Sequence, residues 1–582
     1  MRMDPEHNLT RAGLFAAGSS VWGWLTAAAL LVGLTLLVDT VSRSSATYDE
    51  VAYLRVAARW WRTGDQSEIT RMGSPVTFWK FQQVPVLWAL DQLGHRAWVD
   101  DPIGNQRQLL PLVRLGSLWI WLLAAMLTIL WTRMSVGPRA MALAAWLFAL
   151  SPNLIAHGAL ATMELPLLAG TTAMCALFWR FLDTTNKTWF WSSAAAGGLA
   201  FSCKYTAILF PPILAVVWWV ALWQRPDRRL LRLTRQVVLY MLGYVLLMLV
   251  TNLIVTGFAR IPLSTTEGRH PTLEKSLGTT AAAALSRLYE TPLPQDWVGF
   301  ATQMHHQASG GASYLWGERR TRGWWYYYFV VLAFKVPLGL WILVGARLAL
   351  APSGEKNRST SLHVDLLPLV VFLFLAITAV GSSRNYGMRY LLPLAPLAIV
   401  WVSSLAECKK SIWPGLTATA GLLGFVAAIA LSHPYELTYF NILAGGPRGG
   451  RQILSDSNLD WGQGLRALVR LQQQRPRFRD ITFYYFGDTE PAYYGVAGRS
   501  YVINAAQDHS RLPGLAHVDT PYLAVSASLQ WGPWGPPGFF RDLDRLEPVG
   551  CTDDTTIAIY RTAEAQAVMA ERSNIDHPVI VR

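Results

Sequence analysis

Thr47-Tyr48-Asp49-Glu50 sets two carboxylates side by side a few residues after a long apolar run. A carboxylate placed there can take the proton of a hydroxyl and turn an alcohol into a competent nucleophile. It equally suits a helix start, where negative side chains meet unpaired backbone N–H groups. Neighbouring helical residues point about 100° apart, so the two cannot face one another as an acid/base pair. At most one is a base, with the other supporting it. Beyond them, Val51, Leu54, Ala58 and Trp61 share one helical face, and Arg55, Arg59 and Arg62 the other. That is the pattern of an amphipathic helix lying in a membrane interface.

A second acid, Glu164, stands alone before another apolar run in Ala161-Thr162-Met163-Glu164-Leu165-Pro166. It can act on substrate or cap the helix that follows. Lys204, in Ser202-Cys203-Lys204-Tyr205-Thr206, falls between two apolar runs. A lysine there needs a carboxylate or phosphate partner, unless it snorkels to the interface. Asp456, Asn458 and Asp460 mimic the start of a calcium loop, but Trp461 takes the place of the required glycine and Ala467 that of the final acid. No metal site is expected. Cys175, Cys203, Cys408 and Cys551 lie far apart, with neither disulfide nor zinc spacing.

The elements that carry these residues are membrane spans. Of 582 residues 52% are hydrophobic and 15% charged, against about 25% charged in soluble domains. Apolar runs of spanning length recur near 21–38, 111–131, 139–155, 165–182, 189–203, 205–223, 236–257, 324–348, 364–381, 390–406 and 412–431, eleven in all. They read as almost free of charge, with the chemically interesting charges at one set of ends. The first run is expected to stay as an uncleaved signal anchor, although Ser44-Ser45-Ala46 imitates a cleavage site.

The net charge of +13 would suit nucleic acid in a soluble protein. Here it belongs to loops. With the N-terminus cytoplasmic, sixteen Lys and Arg fall in inside segments, and only Lys204, Arg384 and Arg389 in short outside loops. Loops 39–110 and 258–323 and the C-terminal region are then exterior. The expected division is a transmembrane unit over 1–431 and an exterior α/β domain over 432–582. In the latter, 462–474 has helical spacing and 481–486, 522–527 and 556–560 read as strands.

The order of these features resembles the membrane glycosyltransferases of the C superfamily, in particular the family 39 group of protein O-mannosyltransferases and aminoarabinose transferases. The resemblance rests on Asp49-Glu50 after span one, Glu164 two spans later, Gly198-Leu199-Ala200-Phe201-Ser202-Cys203-Lys204-Tyr205-Thr206, and Arg389-Tyr390-Leu391-Leu392-Pro393-Leu394. The run from Tyr439-Phe440-Asn441 to Asp456-Ser457-Asn458-Leu459-Asp460-Trp461-Gly462-Gln463 is similar to the exterior domain of bacterial members. Ser74-Pro75-Val76-Thr77-Phe78-Trp79-Lys80 stands where the family often has a His-Pro-Pro stretch, and Glu164 where many members have Asp.

The resemblance implies a mainly α, polytopic fold in a cell (inner) membrane and transfer of a sugar from a polyprenyl-phosphate donor to an exterior lipid, glycan or protein acceptor. It assigns Asp49 as base, Glu50 as its support and Glu164 as a second, orienting acid. Outer cations would hold the leaving phosphate: Lys204 and Arg389 first, then Arg384 and Lys80. It requires no cofactor, although some relatives in the superfamily use a divalent ion, here between Asp49 and Glu164. The other readings are a lipid or polysaccharide transporter, with charged and broken spans, and a non-enzymatic envelope scaffold.

Overall fold

The computed structural model describes residues 21–65, 67–75, 82–224, 230–265, 287, 289–350, 363–408, 412–504, 514–536 and 539–576. All eleven apolar stretches fold as helix. Among the described residues seven helices are long and apolar enough to cross a bilayer: Val21–Arg43, Gln106–Ser135, Glu164–Thr184, Tyr205–Trp223, Arg232–Val255, Val364–Gly381 and Trp413–Ser432. Two more spans arise if each bent pair counts as one: Pro138–Ala149 with Pro152–Gly158 (61°), and Tyr327–Lys335 with Leu338–Ala349 (104°). The last two stretches are shorter helices, Lys187–Phe201 and Leu392–Glu407. Among the described residues, seven to nine of the eleven expected runs are thus long and apolar enough to span by themselves or as a bent pair. This is a multi-pass membrane protein.

Proline makes both bends. It lacks an N–H and drives the preceding residue out of helical geometry. Ser151 before Pro152 has ψ 113°, and Val336 before Pro337 has ψ 138°. The groups freed at the second bend are met by asparagines. Asn153 donates to the Lys335 carbonyl at 2.7 Å, and Asn441 donates to Ala333 and Val336 at 2.6 and 2.9 Å. Helix Lys187–Phe201 packs between Glu164–Thr184 and Leu230–Val255. A Cβ on Gly198 would stand 2.4 Å from the Met248 carbonyl, so only glycine permits that approach.

After Ser432 the chain stays on the helical body, and its Asn441 fills the bend just described. A five-stranded sheet follows: β1 Ile481–Phe486, β2 Arg499–Ile503, β3 Tyr522–Ser526, β4 Gly550–Cys551 and β5 Ile557–Arg561. Their order is β2-β1-β3-β5-β4. Strand β1 is parallel to β2 and β3, with Tyr484 opposite Tyr501 and Val525, while β5 runs antiparallel to β3 and β4. All six residues of β1 are buried, as a central strand covered on both faces must be. Helix Leu465–Gln474 covers one face through Leu465, Leu468 and Leu471; Leu515, Phe540, Leu543 and Ala565 cover the other.

Candidate active site

Asp49 and Glu50 open helix Tyr48–Thr63, and Glu50 closes a capping box with Thr47. Their side chains part as helical geometry requires. Glu50 turns inward. Arg114 grips it with two bonds of 2.8 and 2.7 Å, and it also accepts from the backbone N–H groups of Thr47 (2.9 Å) and Ala161 (2.8 Å). Both members of that pair are 0% exposed. The remaining Arg114 donors reach the carbonyls of Val41, Ser44 and Ser45. Burial works to raise the Glu50 pKa, but the guanidinium and the N–H donors prevail and hold it below the ordinary value. Glu50 is therefore a fixed anion that ties three chain segments together and has no open side for a substrate.

Asp49 faces the other way, its side chain 20% exposed. Arg389 Nη1 lies 2.6 Å from Asp49 Oδ2 and 3.8 Å from Glu164 Oε1. Lys204 Nζ lies 2.9 Å from that same Glu164 oxygen. Four charged residues from four separate elements thus form one chain: Asp49, Arg389, Glu164, Lys204. Glu164 Oε2 is buried and has no hydrogen-bond partner among the described residues. Burial raises the Asp49 pKa above the ordinary value, against the pull of Arg389, so Asp49 is the carboxylate of the adjacent pair that is closer to taking up a proton.

Aromatic rings wall the cations. Lys204 Nζ sits 4.2 Å from the centre of the Tyr390 ring, and the Arg389 guanidinium 4.5 Å from that of Trp461. Segment 455–463 fixes both sides of the Asp49–Arg389 pair. Asn458 accepts from Met388 N at 3.0 Å, and Ser457 donates to the Tyr386 carbonyl at 2.6 Å. The Trp461 carbonyl accepts from Tyr48 N at 2.7 Å, and the Gln463 carbonyl from Ser45 N at 3.0 Å.

Of the expected site residues, Asp49, Glu164, Lys204 and Arg389 come together. Glu50 neighbours them in sequence but serves the frame. Arg384 is turned elsewhere, with its Nε donating to the Gly310 carbonyl at 2.9 Å. Lys80 lies outside the described residues. A divalent ion between Asp49 and Glu164 does not fit this arrangement, because the Arg389 guanidinium stands between the two carboxylates.

Two further expectations need correction. Helix Tyr48–Thr63 is clasped by protein: Val51, Leu54 and Ala58 are buried. Arg55 pairs with Glu68 at 2.7 Å, Arg59 with Asp65 at 2.7 Å and Arg62 with Asp91 at 2.5 Å. The spans are also less free of charge than they read. Arg114 and Lys335 lie inside the runs 111–131 and 324–348, and both are buried. Lys335 Nζ donates to the carbonyls of Leu437 (3.0 Å) and Asn458 (2.6 Å). A cation within an apolar run was the available signal for both.

A polytopic membrane protein with a carboxylate–cation chain walled by aromatic rings is the class that this geometry defines. The family model of dolichyl-phosphate-mannose-protein mannosyltransferase matches residues 110–262, a stretch that holds Glu164 and Lys204. The resemblance drawn from the motifs is thus met by a family model over about a quarter of the chain. No curated protein matches the sequence significantly.

Similar solved structures include ArnT from Cupriavidus metallidurans bound to undecaprenyl phosphate, 14% identical, with a TM-score of 0.46 over 93% of this chain and 98% of that one. The S. cerevisiae protein O-mannosyltransferase Pmt1–Pmt2 complex bound to the sugar donor is 16% identical, with a TM-score of 0.31 over 44% and 39%. The archaeal oligosaccharyltransferase AglB from Archaeoglobus fulgidus, in complex with an inhibitory peptide and a dolichol-phosphate, is 12% identical, with a TM-score of 0.38 over 87% and 71%.

Proposed function

We propose that this protein transfers a sugar from a polyprenyl-phosphate donor to a hydroxyl acceptor at the Asp49–Arg389–Glu164–Lys204 site. The observation that carries the reading is the convergence of two carboxylates and two cations from four elements beneath the rings of Tyr390 and Trp461. The match to a family named for a dolichyl-phosphate-mannose donor supports the reaction class. Asp49 takes the proton of the acceptor hydroxyl as its oxygen bonds to the anomeric carbon. The bond from that carbon to the phosphate oxygen breaks in the same displacement, so configuration inverts. The phosphate leaves as an anion, needs little acid assistance and is held by Lys204 and Arg389. Glu164 orients Lys204 and keeps a free oxygen for a sugar hydroxyl.

In this reading the site faces the exterior of a cell (inner) membrane. Nucleotide sugars stay in the cytoplasm, whereas a lipid-linked sugar crosses with the membrane. The broken spans would suit a transporter, but asparagine side chains plug the sharper break, and Asp49, Glu164, Lys204 and Arg389 gather at one set of helix ends. Purified protein in lipid discs, given a polyprenyl-phosphate sugar and a hydroxyl acceptor, should release polyprenyl phosphate and form an inverted glycoside. Mass spectrometry of lipid-linked sugars and envelope glycans, with and without the protein, identifies sugar and acceptor. Unchanged glycans and donor pools would overturn the reading.

A further inference from the structure

A second polar site lies away from the carboxylate–cation chain. Span Val364–Gly381 ends at a cleft of about 460 Å³ lined by Gln307, Arg322, Trp325, Val380, Ser382 and Ser383, among others. Its composition is split. Val380 is 92% exposed and Trp325 67% exposed, and they sit at the ends of two membrane helices, where hydrocarbon or headgroup suits them. Beside them is a guanidinium. Arg322 is exposed, and among the described residues no carboxylate pairs with it. Gln307 adds a buried Oε1 without a hydrogen-bond partner among the described residues, on an amide that can also turn its N–H₂ to a ligand.

The serine hydroxyls are spent, Ser382 donating to the Arg384 carbonyl and Ser383 to that of Gln307. An exposed apolar lip, a guanidinium with no carboxylate on it among the described residues, and an amide with an unpartnered oxygen, together at a span terminus, match a particular ligand chemistry. It is a phosphate ester on a hydrocarbon tail, with the tail along Val380 and Trp325 and the phosphate on Arg322. We infer that this cleft binds the headgroup of an anionic phospholipid or of a polyprenyl phosphate. The inference needs only the membrane setting and is independent of glycosyl transfer. It gives the loop from Ser382 to Arg389 a lipid phosphate at its first residues and the candidate active site at its last.

Native mass spectrometry after release from lipid discs tests it. Separate discs would contain phosphatidylglycerol, or undecaprenyl phosphate at equal charge, each mixed with phosphatidylcholine. The expected result is retention of one or both anionic lipids over phosphatidylcholine. Arg322→Gln should reduce that retention about fivefold to tenfold, and Arg479→Gln, at an exposed arginine of the C-terminal region, should not. Phosphatidylglycerol alone would assign a structural lipid, undecaprenyl phosphate alone a carrier site, and both a site for the shared headgroup. Equal retention of all lipids, or equal loss in the two variants, would overturn the inference. Wild-type-like melting of Arg322→Gln separates lost binding from lost folding.

Discussion

Asp49 and Glu50 show how one residue step separates chemistry from support. Asp49→Asn keeps shape and capping ability but cannot take a proton. Transfer should fall by about 10²–10⁴-fold with the melting temperature little changed; full turnover by a folded Asp49→Asn protein would remove the base assignment. Glu50→Gln should do the opposite. It leaves the Arg114 guanidinium buried without its anion, at a cost of about 3–5 kcal/mol, while surviving folded molecules retain much of their turnover per site. Chemical denaturation alongside a single-turnover assay separates the two.

A third residue, Asp460, sets a pH dependence. Burial pushes its carboxyl from the ordinary 3.8 up to about 7, against donors from Ser528 and Gly462. In the interval between, the folded protein holds a proton that the unfolded chain has lost. Its contribution to stability is therefore full below the ordinary value and disappears as pH rises through about 7. Asp460→Asn removes that term. From about pH 5 to about pH 8 the wild-type melting temperature should fall relative to the variant, and parallel profiles would contradict the assignment.

At the scale of elements, segment 455–463 is the brace of the candidate site. It holds the Arg389 loop through Ser457 and Asn458 and the Asp49 loop through Trp461 and Gln463. Asn458 also donates to Tyr327 Oη at 3.1 Å, and its carbonyl receives Lys335. Asn458→Ala should cost about 1–3 kcal/mol through the Met388 N–H and the Tyr327 and Ser455 acceptors left unanswered. The cost should extend to the Asp49–Arg389 geometry, so turnover falls although neither residue of that pair is substituted. A melting curve and an activity assay on this variant read the two effects, and unchanged turnover would show that the brace does not reach the site.

Across the whole molecule, sidedness links the membrane map to the proposed chemistry. In a background without the four native cysteines, Asp519→Cys should react with an impermeant thiol reagent on intact cells, and Thr184→Cys should not. The reverse labelling would put the sheet and the site in the cytoplasm and remove the need for a lipid-linked donor.

Much of this protein was legible in its sequence. Among the described residues, apolar runs located each candidate membrane helix, because a bilayer core tolerates few charges along a spanning segment. Short runs rich in β-branched and aromatic residues located β1, β3 and β5. Isolated charges beside apolar runs selected Asp49, Glu164, Lys204 and Arg389, because an ionised group there is costly unless something answers it. What answers each was decided only in three dimensions. Arg389 meets Asp49 across 340 residues and Lys204 meets Glu164 across 40. Arg114 claims Glu50 for the frame, and the prolines at 152 and 337 turn two apparent spans into broken ones. Hydropathy and spacing are local properties, fixed residue by residue. Pairing depends on which helices pack together, and that follows from close approaches such as Gly198 on Met248, which no window of sequence contains.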